Sequence, residues 1–171
     1  MKKALSLILV FCLAISIFPI AVFADYTPKY TVYADGLYEL GLFCGTGTDK
    51  DGKPVYELGR TPTRAEALTL LIRLLGEEEE ALESTGGHPF TDVPAGNWAE
   101  PYVSYAYAKG YTNGMSATTF APGETANANM YLTFLLRALG YDDSRGDFSY
   151  FTAYKKAAET GICSSGEYAP A

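Results

Sequence analysis

Two stretches of this chain repeat one another, and internal repetition constrains the fold more than any other feature of the sequence. Residues 68–76 and 132–140 agree at six of nine positions when they are aligned at an offset of 64 residues. In both stretches apolar residues recur at i, i+3, i+4 and i+7, the spacing that places one apolar stripe on a helix. Gly76 and Gly140 close the stretches, where a helix end favours a left-handed residue. We therefore predict two equivalent helices.

Each of these helices is preceded by another, whose closing turn is visible in the sequence. Residues 41–45 match residues 110–114 at an offset of 69, so the loop of the first unit is five residues longer than that of the second. The polar residues 49–54 form a turn cluster that accounts for the surplus. The pattern predicts helix–loop–helix units.

A third unit begins near Tyr141. Residues 157–161 echo residues 106–110 at an offset of 51, which predicts a first helix without room for a second. An incomplete unit exposes the apolar face that its missing half would cover. The predicted fold is all-α, with repeats at 25–76 and 88–140 and a partial repeat at 141–171.

The first 24 residues have the composition of a secretory signal peptide. Lys2 and Lys3 precede the apolar residues 4–18, and residues 22–24 suit a signal peptidase. The competing interpretation is a membrane anchor, for which the apolar run is short. We predict cleavage before Asp25 and secretion, with no insertion in the membrane afterwards.

The charge of the chain limits its partners. The formal net charge is −7, and loss of Lys2 and Lys3 leaves 11 basic against 20 acidic residues. Such a balance repels nucleic acid and anionic lipid headgroups. It does not forbid an anionic ligand, because one arginine can reverse the potential locally.

Two cysteines, Cys44 and Cys163, lie in comparable turns of the first and third units. A disulfide-stapled scaffold would carry more cysteines per residue. Two alternatives stay open, a bridge between these residues or two partly buried thiols.

The order of several short motifs resembles the S-layer homology family. Residues 90–94 read Phe-Thr-Asp-Val-Pro, and Trp98 follows; then come the 110–114 turn and the Phe-x-Pro step at 120–122. Residues 63–66 add Thr-Arg-Ala-Glu at the start of a helix. The resemblance implies a pseudo-threefold helical bundle with an incomplete third unit. It also implies noncovalent retention on Gram-positive-type cell walls, through grooves between units that bind a secondary cell-wall polysaccharide, often pyruvylated.

Within this resemblance, Arg64 is the principal candidate for a glycan contact. A guanidinium is a planar fork of donors that holds a carboxylate with two hydrogen bonds. Thr63 and Glu66 have the spacing of a capping box, and open amides at the helix start would favour an anion. The alternative is that Arg64 pairs with Glu66 or with residues 77–80, an acidic run that we expect to be a solvated helix end or connector.

Asp92 and Trp98 complete the predicted glycan site, and each has a structural alternative. An indole face stacks on sugar rings and a carboxylate accepts hydroxyl hydrogen bonds, but Trp98 is also suited to fill a gap between helices and Asp92 to pin a turn. The second unit reads Asn127-Ala128-Asn129-Met130 where the first has the arginine motif. At most one arginine-based site is therefore predicted, although Asn127 is suited to cap its helix.

No motif for a catalytic nucleophile, a metal site or a cofactor is found. Residues 49–52 lack the later ligands of a calcium loop, and His88 has no partner pattern for catalysis. We therefore predict a non-enzymatic module at the cell surface. The runner-up is an assembly protein that pairs with another S-layer homology chain and has lost glycan affinity. A hydrolase using Asp92 and Glu100 is a third candidate.

Overall fold

The computed structural model describes residues 30–166, and the predicted signal peptide lies outside that range. The elements follow in this order: α1 (Thr31–Glu39), β1 (Gly47–Thr48), β2 (Pro54–Val55), α2 (Arg64–Leu75), α3 (Glu78–Glu83), α4 (Glu100–Ala108), α5 (Ala128–Ala138) and α6 (Ala153–Glu159). Short 3-10 helices at Asp143–Arg145 and Tyr150–Thr152 precede α6.

The described chain is mostly helical, and the all-α prediction is wrong in one detail. β1 and β2 form a two-stranded antiparallel sheet, with Gly47 opposite Val55 and Thr48 opposite Pro54. The Asp49 carboxylate closes the hairpin by accepting the backbone N–H groups of Asp51 and Lys53. This hairpin is the longer loop that the offsets predicted, and local side-chain hydrogen bonds of this kind favour turns.

We call α1, the hairpin and α2 the first unit, α4 and α5 the second unit, and α6 the start of the third. α2 and α5 lie where the repeated stretches predicted them. Gly76 caps α2 with φ of 74°, and Asn127 caps α5 by accepting the Met130 N–H, as predicted.

The units are joined by a repeated packing rule. α2, the second helix of the first unit, packs against α4, and α5 packs against α6 in the same way, while α2 and α5 also pack against each other. Their apolar stripes form the core, whose fully buried members include Leu68, Leu71, Leu135 and Leu136. Tyr102, Tyr105 and Tyr111 are buried too, so the tyrosines of α4 and its closing turn mostly contribute to the core.

Gly45 and Gly114 show how closely the two loops correspond. Both have positive φ, and a Cβ at either position would meet a backbone oxygen, Val55 O at 2.5 Å or Thr119 O at 2.8 Å. Val55 and Thr119 are themselves related by the offset of 64. Glycine is therefore required at both turns by conformation and by close approach.

Candidate functional site

The predicted capping box is present at the start of α2. The Thr63 hydroxyl accepts the Glu66 N–H at 3.3 Å, and the Glu66 carboxylate accepts the Thr63 N–H at 2.7 Å. Glu66 pairs with Arg60, at 2.6 Å between Nη2 and Oε1. The hydrogen bond from Arg60 holds the pKa of Glu66 at about 2. Glu66 is therefore an acceptor fixed by two partners, and the alternative that it pairs with Arg64 is wrong.

Arg64 is buried inside the protein, with only 4% of its surface exposed. Its guanidinium lies between the rings of Phe120 and Phe134, 4.8 and 4.7 Å from their centroids. Nη2 donates to the Thr112 hydroxyl at 3.4 Å, whereas Nε meets no acceptor among residues 30–166. We call the space formed by Phe120, Phe134 and Thr112 the arginine slot.

The pKa of Arg64 is that of a guanidinium that burial has removed from water. Burial lowers the pKa of Arg64 to about 10, and the positive charge of Arg137 adds to the effect. Within the described range no carboxylate lies at ion-pair distance from Arg64. The rings of Phe120 and Phe134 offset part of the desolvation through cation–π attraction.

The backbone amides at the start of α2 are not open to an anion, which corrects the prediction. Arg64 N–H donates to the Glu124 carbonyl at 2.7 Å, and Ala65 N–H donates to the Pro122 carbonyl at 3.1 Å. In return the Ala126 N–H donates to Pro62 at 2.9 Å. The start of the first unit's second helix is thus bound to a strip of the second unit, residues 122–126.

Asp92 has a structural role. Its two carboxylate oxygens accept the backbone N–H groups of Phe120, at 2.9 Å, and Ala121, at 2.7 Å. Burial alone would raise the pKa of Asp92, but these hydrogen bonds outweigh it and lower the pKa. Asp92 thereby holds the loop that carries one ring of the arginine slot.

Trp98 does not fill a gap between helices, so its structural alternative is wrong. Its side chain is 58% exposed and meets the Tyr102 ring edge to face at 6.4 Å between centroids. It lies at the rim of a cleft of about 520 Å³ between the first unit and α4. The side chains that line this cleft include Phe43, Tyr56, Arg60, Glu66, Thr69, Leu70, Arg73, Trp98 and Tyr102.

The structure separates the five predicted glycan residues into two groups. Glu66 and Trp98 line the cleft, and Thr63 holds Glu66 in place through the hydrogen bonds of the capping box. Arg64 and Asp92 instead both contact Phe120 in the second unit: Arg64 packs on its ring, and Asp92 accepts its backbone N–H. Sequence reasoning missed Arg60 and Thr69 as cleft residues, although Arg60 lies only six positions before Glu66 and has the opposite charge.

Several remaining predictions concern residues other than the five glycan candidates. Residues 77–80 were expected to be a solvated connector, but Glu77 accepts the Tyr111 hydroxyl at 3.0 Å and Glu78 accepts the Tyr102 hydroxyl at 2.7 Å. Glu100 accepts the Ser104 hydroxyl rather than standing open beside Asp92. Cys44 and Cys163 are not joined in a disulfide, and Cys44 is exposed rather than partly buried.

Among residues 30–166, no helix is sufficiently long and apolar to cross a bilayer. No cluster of three or more histidine, cysteine, aspartate or glutamate side chains there has the arrangement of a metal site.

Comparison with known proteins gives matches over nearly the whole chain. The sequence profile of the S-layer homology domain matches residues 89–127. A cell surface protein of Thermoanaerobacter kivui is 30% identical over 95% of this chain and 21% of its own length. The middle cell wall protein of Brevibacillus brevis is 29% identical over 96% of this chain and 16% of its own. An endoglucanase of a Bacillus species is 35% identical over 48% of this chain and 10% of its own. The chain thus spans about a fifth or less of each relative.

Proposed function

Because this chain carries an S-layer homology domain at residues 89–127, we propose that it anchors protein to the bacterial envelope by binding a cell-wall polysaccharide. The domain and the names of the relatives support a location at the cell surface and a module without catalysis. The observation that carries the proposal is Trp98, an exposed indole at the rim of a cleft with charged walls.

The cleft suits a sugar for two physical reasons. Trp98 offers an exposed aromatic surface on which the apolar face of a pyranose packs, and the buried Tyr102 ring supports it through an edge contact. Arg60 and Glu66, held rigidly by each other, offer donors and acceptors that need no reordering when a ligand binds. Positive Arg60 and Arg73 balance negative Glu57 and Glu66 among the lining residues, which favours a weakly charged segment of the polymer.

A direct contact between Arg64 and a pyruvylated sugar is a separate part of the proposal. Its Nε has an unused donor, and a carboxylate would satisfy it with a charge-assisted hydrogen bond. Arg64 is buried, so such a contact requires the ligand to enter the arginine slot beside Phe120 or Phe134. Asp92 and Thr63 would contribute by holding the slot and the helix start.

The test is sedimentation of the purified chain with cell walls, either native or stripped of secondary polymer. We expect retention on native walls only. Trp98→Ala should weaken retention by about tenfold or more, as truncation of an interface tryptophan does. Phe151→Ala is the matched control, because Phe151 is 78% exposed and lies outside the cleft. Equal retention of all three proteins would refute the cleft as the binding site.

Arg64→Met tests the acidic sugar in the same assay, since methionine keeps much of the volume without the charge. Weaker retention of this variant on pyruvylated walls, and unchanged retention on walls lacking pyruvate, would support the contact. Unchanged retention on both would remove Arg64 from the glycan site while leaving the cleft intact.

A second function, association with another S-layer homology chain, is favoured by α1. Val32 and Leu40, the C-cap residue of α1, are each 70% exposed, and among the residues of α1 only Ala34 is buried. The pseudo-threefold bundle that the resemblance implies would be completed by a helix packed on this face. Light scattering of the chain mixed with a three-repeat S-layer homology protein tests this, with Leu40→Ser expected to abolish a complex that Leu82→Ser preserves.

A further inference from the structure

The second unit shows what a completed unit of this chain contains. The body of α2 packs against α4, and the start of α2 binds the strip of residues 122–126 through two backbone hydrogen bonds. The side chain of Arg64 then fills the arginine slot. Helix α4, the strip and the slot are thus three connected surfaces of the second unit, and α2 of the preceding unit covers all of them.

The first unit has the same three surfaces, and within residues 30–166 they are uncovered except at Pro62, whose carbonyl accepts the Ala126 N–H. α1 is the counterpart of α4, and it exposes Val32 and Leu40. Residues 58–62 correspond to the strip at an offset of 64. The carbonyls of Leu58 and Arg60, equivalent to those that bind the start of α2, accept no backbone hydrogen bond from the described part of the chain.

The counterpart of the arginine slot is the inner part of the cleft. Tyr56 stands in the place of Phe120 and Leu70 in the place of Phe134. Phe43 replaces Thr112, so the hydroxyl that accepts from Arg64 is missing there. Thr69 offers a substitute, because its side chain is 96% buried, lines the cleft and makes no hydrogen bond among the described residues.

The surroundings of this inner cleft suit a cation. The Tyr56 hydroxyl donates to the Asp35 carboxylate at 2.8 Å, which places a negative charge at the hydroxyl end of the aromatic ring. The positive lining residues already have partners, since Arg60 pairs with Glu66 and Arg73 with Glu78. An entering guanidinium would meet the Tyr56 ring, whose other face is stacked on Phe43, and an unused hydroxyl, much as Arg64 meets Phe120 and Thr112.

We propose that the helix start of an S-layer homology repeat from another polypeptide docks on the first unit and inserts its arginine between Tyr56, Leu70 and Thr69. This inference rests on the association proposed above and specifies its geometry. The arginine occupies the inner cleft, whereas Trp98 stays at the rim for the sugar. The occupant is a separate repeat rather than a second copy of this chain, because α2 of a second copy is already bound to its own second unit.

The probe is a peptide of residues 61–76 of this chain, which contains the Thr-Arg-Ala-Glu start and the apolar stripe. Trp98, the single tryptophan of the chain, lies at the cleft and reports binding through its fluorescence, and the peptide contains no tryptophan. We expect a saturable change on titration of the full chain. A peptide with Arg64→Ala should bind about tenfold more weakly, the loss expected for an interface arginine.

Two variants of the full chain complete the test. Thr69→Val removes the unused hydroxyl at nearly constant volume and should weaken binding of the native peptide severalfold. Thr133→Val, at the equivalent position of α5, is the matched control and should leave binding unchanged.

Equal affinity of the native and Arg64→Ala peptides would overturn the arginine insertion, even if a complex with a three-repeat protein still forms. The absence of a saturable change up to about 1 mM peptide would also overturn it. A concentration-dependent dimer of the chain alone that blocks the peptide would overturn the choice of occupant.

Discussion

The first and second units share turn conformations around two slots, and only the second slot holds an arginine between its apolar side chains. Glu57 and Ala121, equivalent at an offset of 64, share the rare positive φ, at 47° and 62°. In the second unit the space beyond this turn is filled by Arg64, whereas in the first it is an open cleft. The comparison teaches that the arginine of the Thr-Arg-Ala-Glu motif serves the unit that follows it. Arg64 belongs to the first unit by sequence and to the second by structure.

The same comparison explains why neighbouring residues of one motif have different roles. Arg64 and Glu66 lie two positions apart on α2, so they point to different sides of the helix start. Arg64 enters the second unit, and Glu66 lines the cleft of the first. One helix start thereby connects the two slots, and variants at these positions distinguish a structural arginine from a surface acceptor.

Replacement of Arg64 has the largest expected effect on the second slot. Arg64→Ala should lower the free energy of unfolding by about 3 kcal/mol, because it leaves a void between two buried rings. Arg64→Met should recover most of the loss, since it fills the volume without a buried charge that lacks a carboxylate partner. Urea denaturation followed by circular dichroism measures both. An alanine variant as stable as the wild type would show that the slot is not part of the packed core.

The two loop glycines compare the units directly. Gly45→Ala and Gly114→Ala should each lower the free energy of unfolding by about 2 kcal/mol, because a Cβ would oppose a backbone oxygen at a positive φ. Gly96→Ala is the control, since its φ is also positive but no atom lies within 4 Å of the added Cβ. Its expected loss is about 1 kcal/mol. Losses of equal size at all three glycines would mean that conformation, rather than close approach, fixes these turns.

The smallest effect is a pH dependence at the capping box. The pKa of Glu66 is about 2 in the folded chain, against 4.5 for an unperturbed group, so its stabilisation is fully present above pH 4.5 and is lost as the pH falls toward 2. Glu66→Gln should flatten the fall of the melting temperature over this interval. Glu79→Gln, at an exposed position of α3, should leave the fall as it is in the wild type. A wild-type slope in the Glu66 variant would contradict the assignment.

The sequence was sufficient for features that depend on neighbours along the chain. Apolar periodicity located α2 and α5, and the spacing of Thr63 and Glu66 predicted the capping box. Gly76 predicted the end of α2, and Asn127 predicted the start of α5. These features are local, so propensity and pattern determine them.

Features that depend on partners far along the chain were not predictable in the same way. Nothing near Arg64 in sequence indicates that Phe120 and Phe134 enclose it. Residues 77–80 read as a solvated run because their partners, Tyr102 and Tyr111, lie on another element. Whether Trp98 fills a gap between helices or lines a cleft depends on how α4 packs against the first unit, which the residues near Trp98 do not indicate.

The short helix α3 has a mechanical consequence. Glu77 and Glu78 tie the connector between the units to Tyr111 and Tyr102, and Arg73 Nε also donates to Glu78 at 2.8 Å. A load applied between the units would have to shear these bonds and the α2–α4 packing at the same time. Under tension the two units should unfold together and not one after the other. In single-molecule stretching, we expect the units to rupture in one shared event.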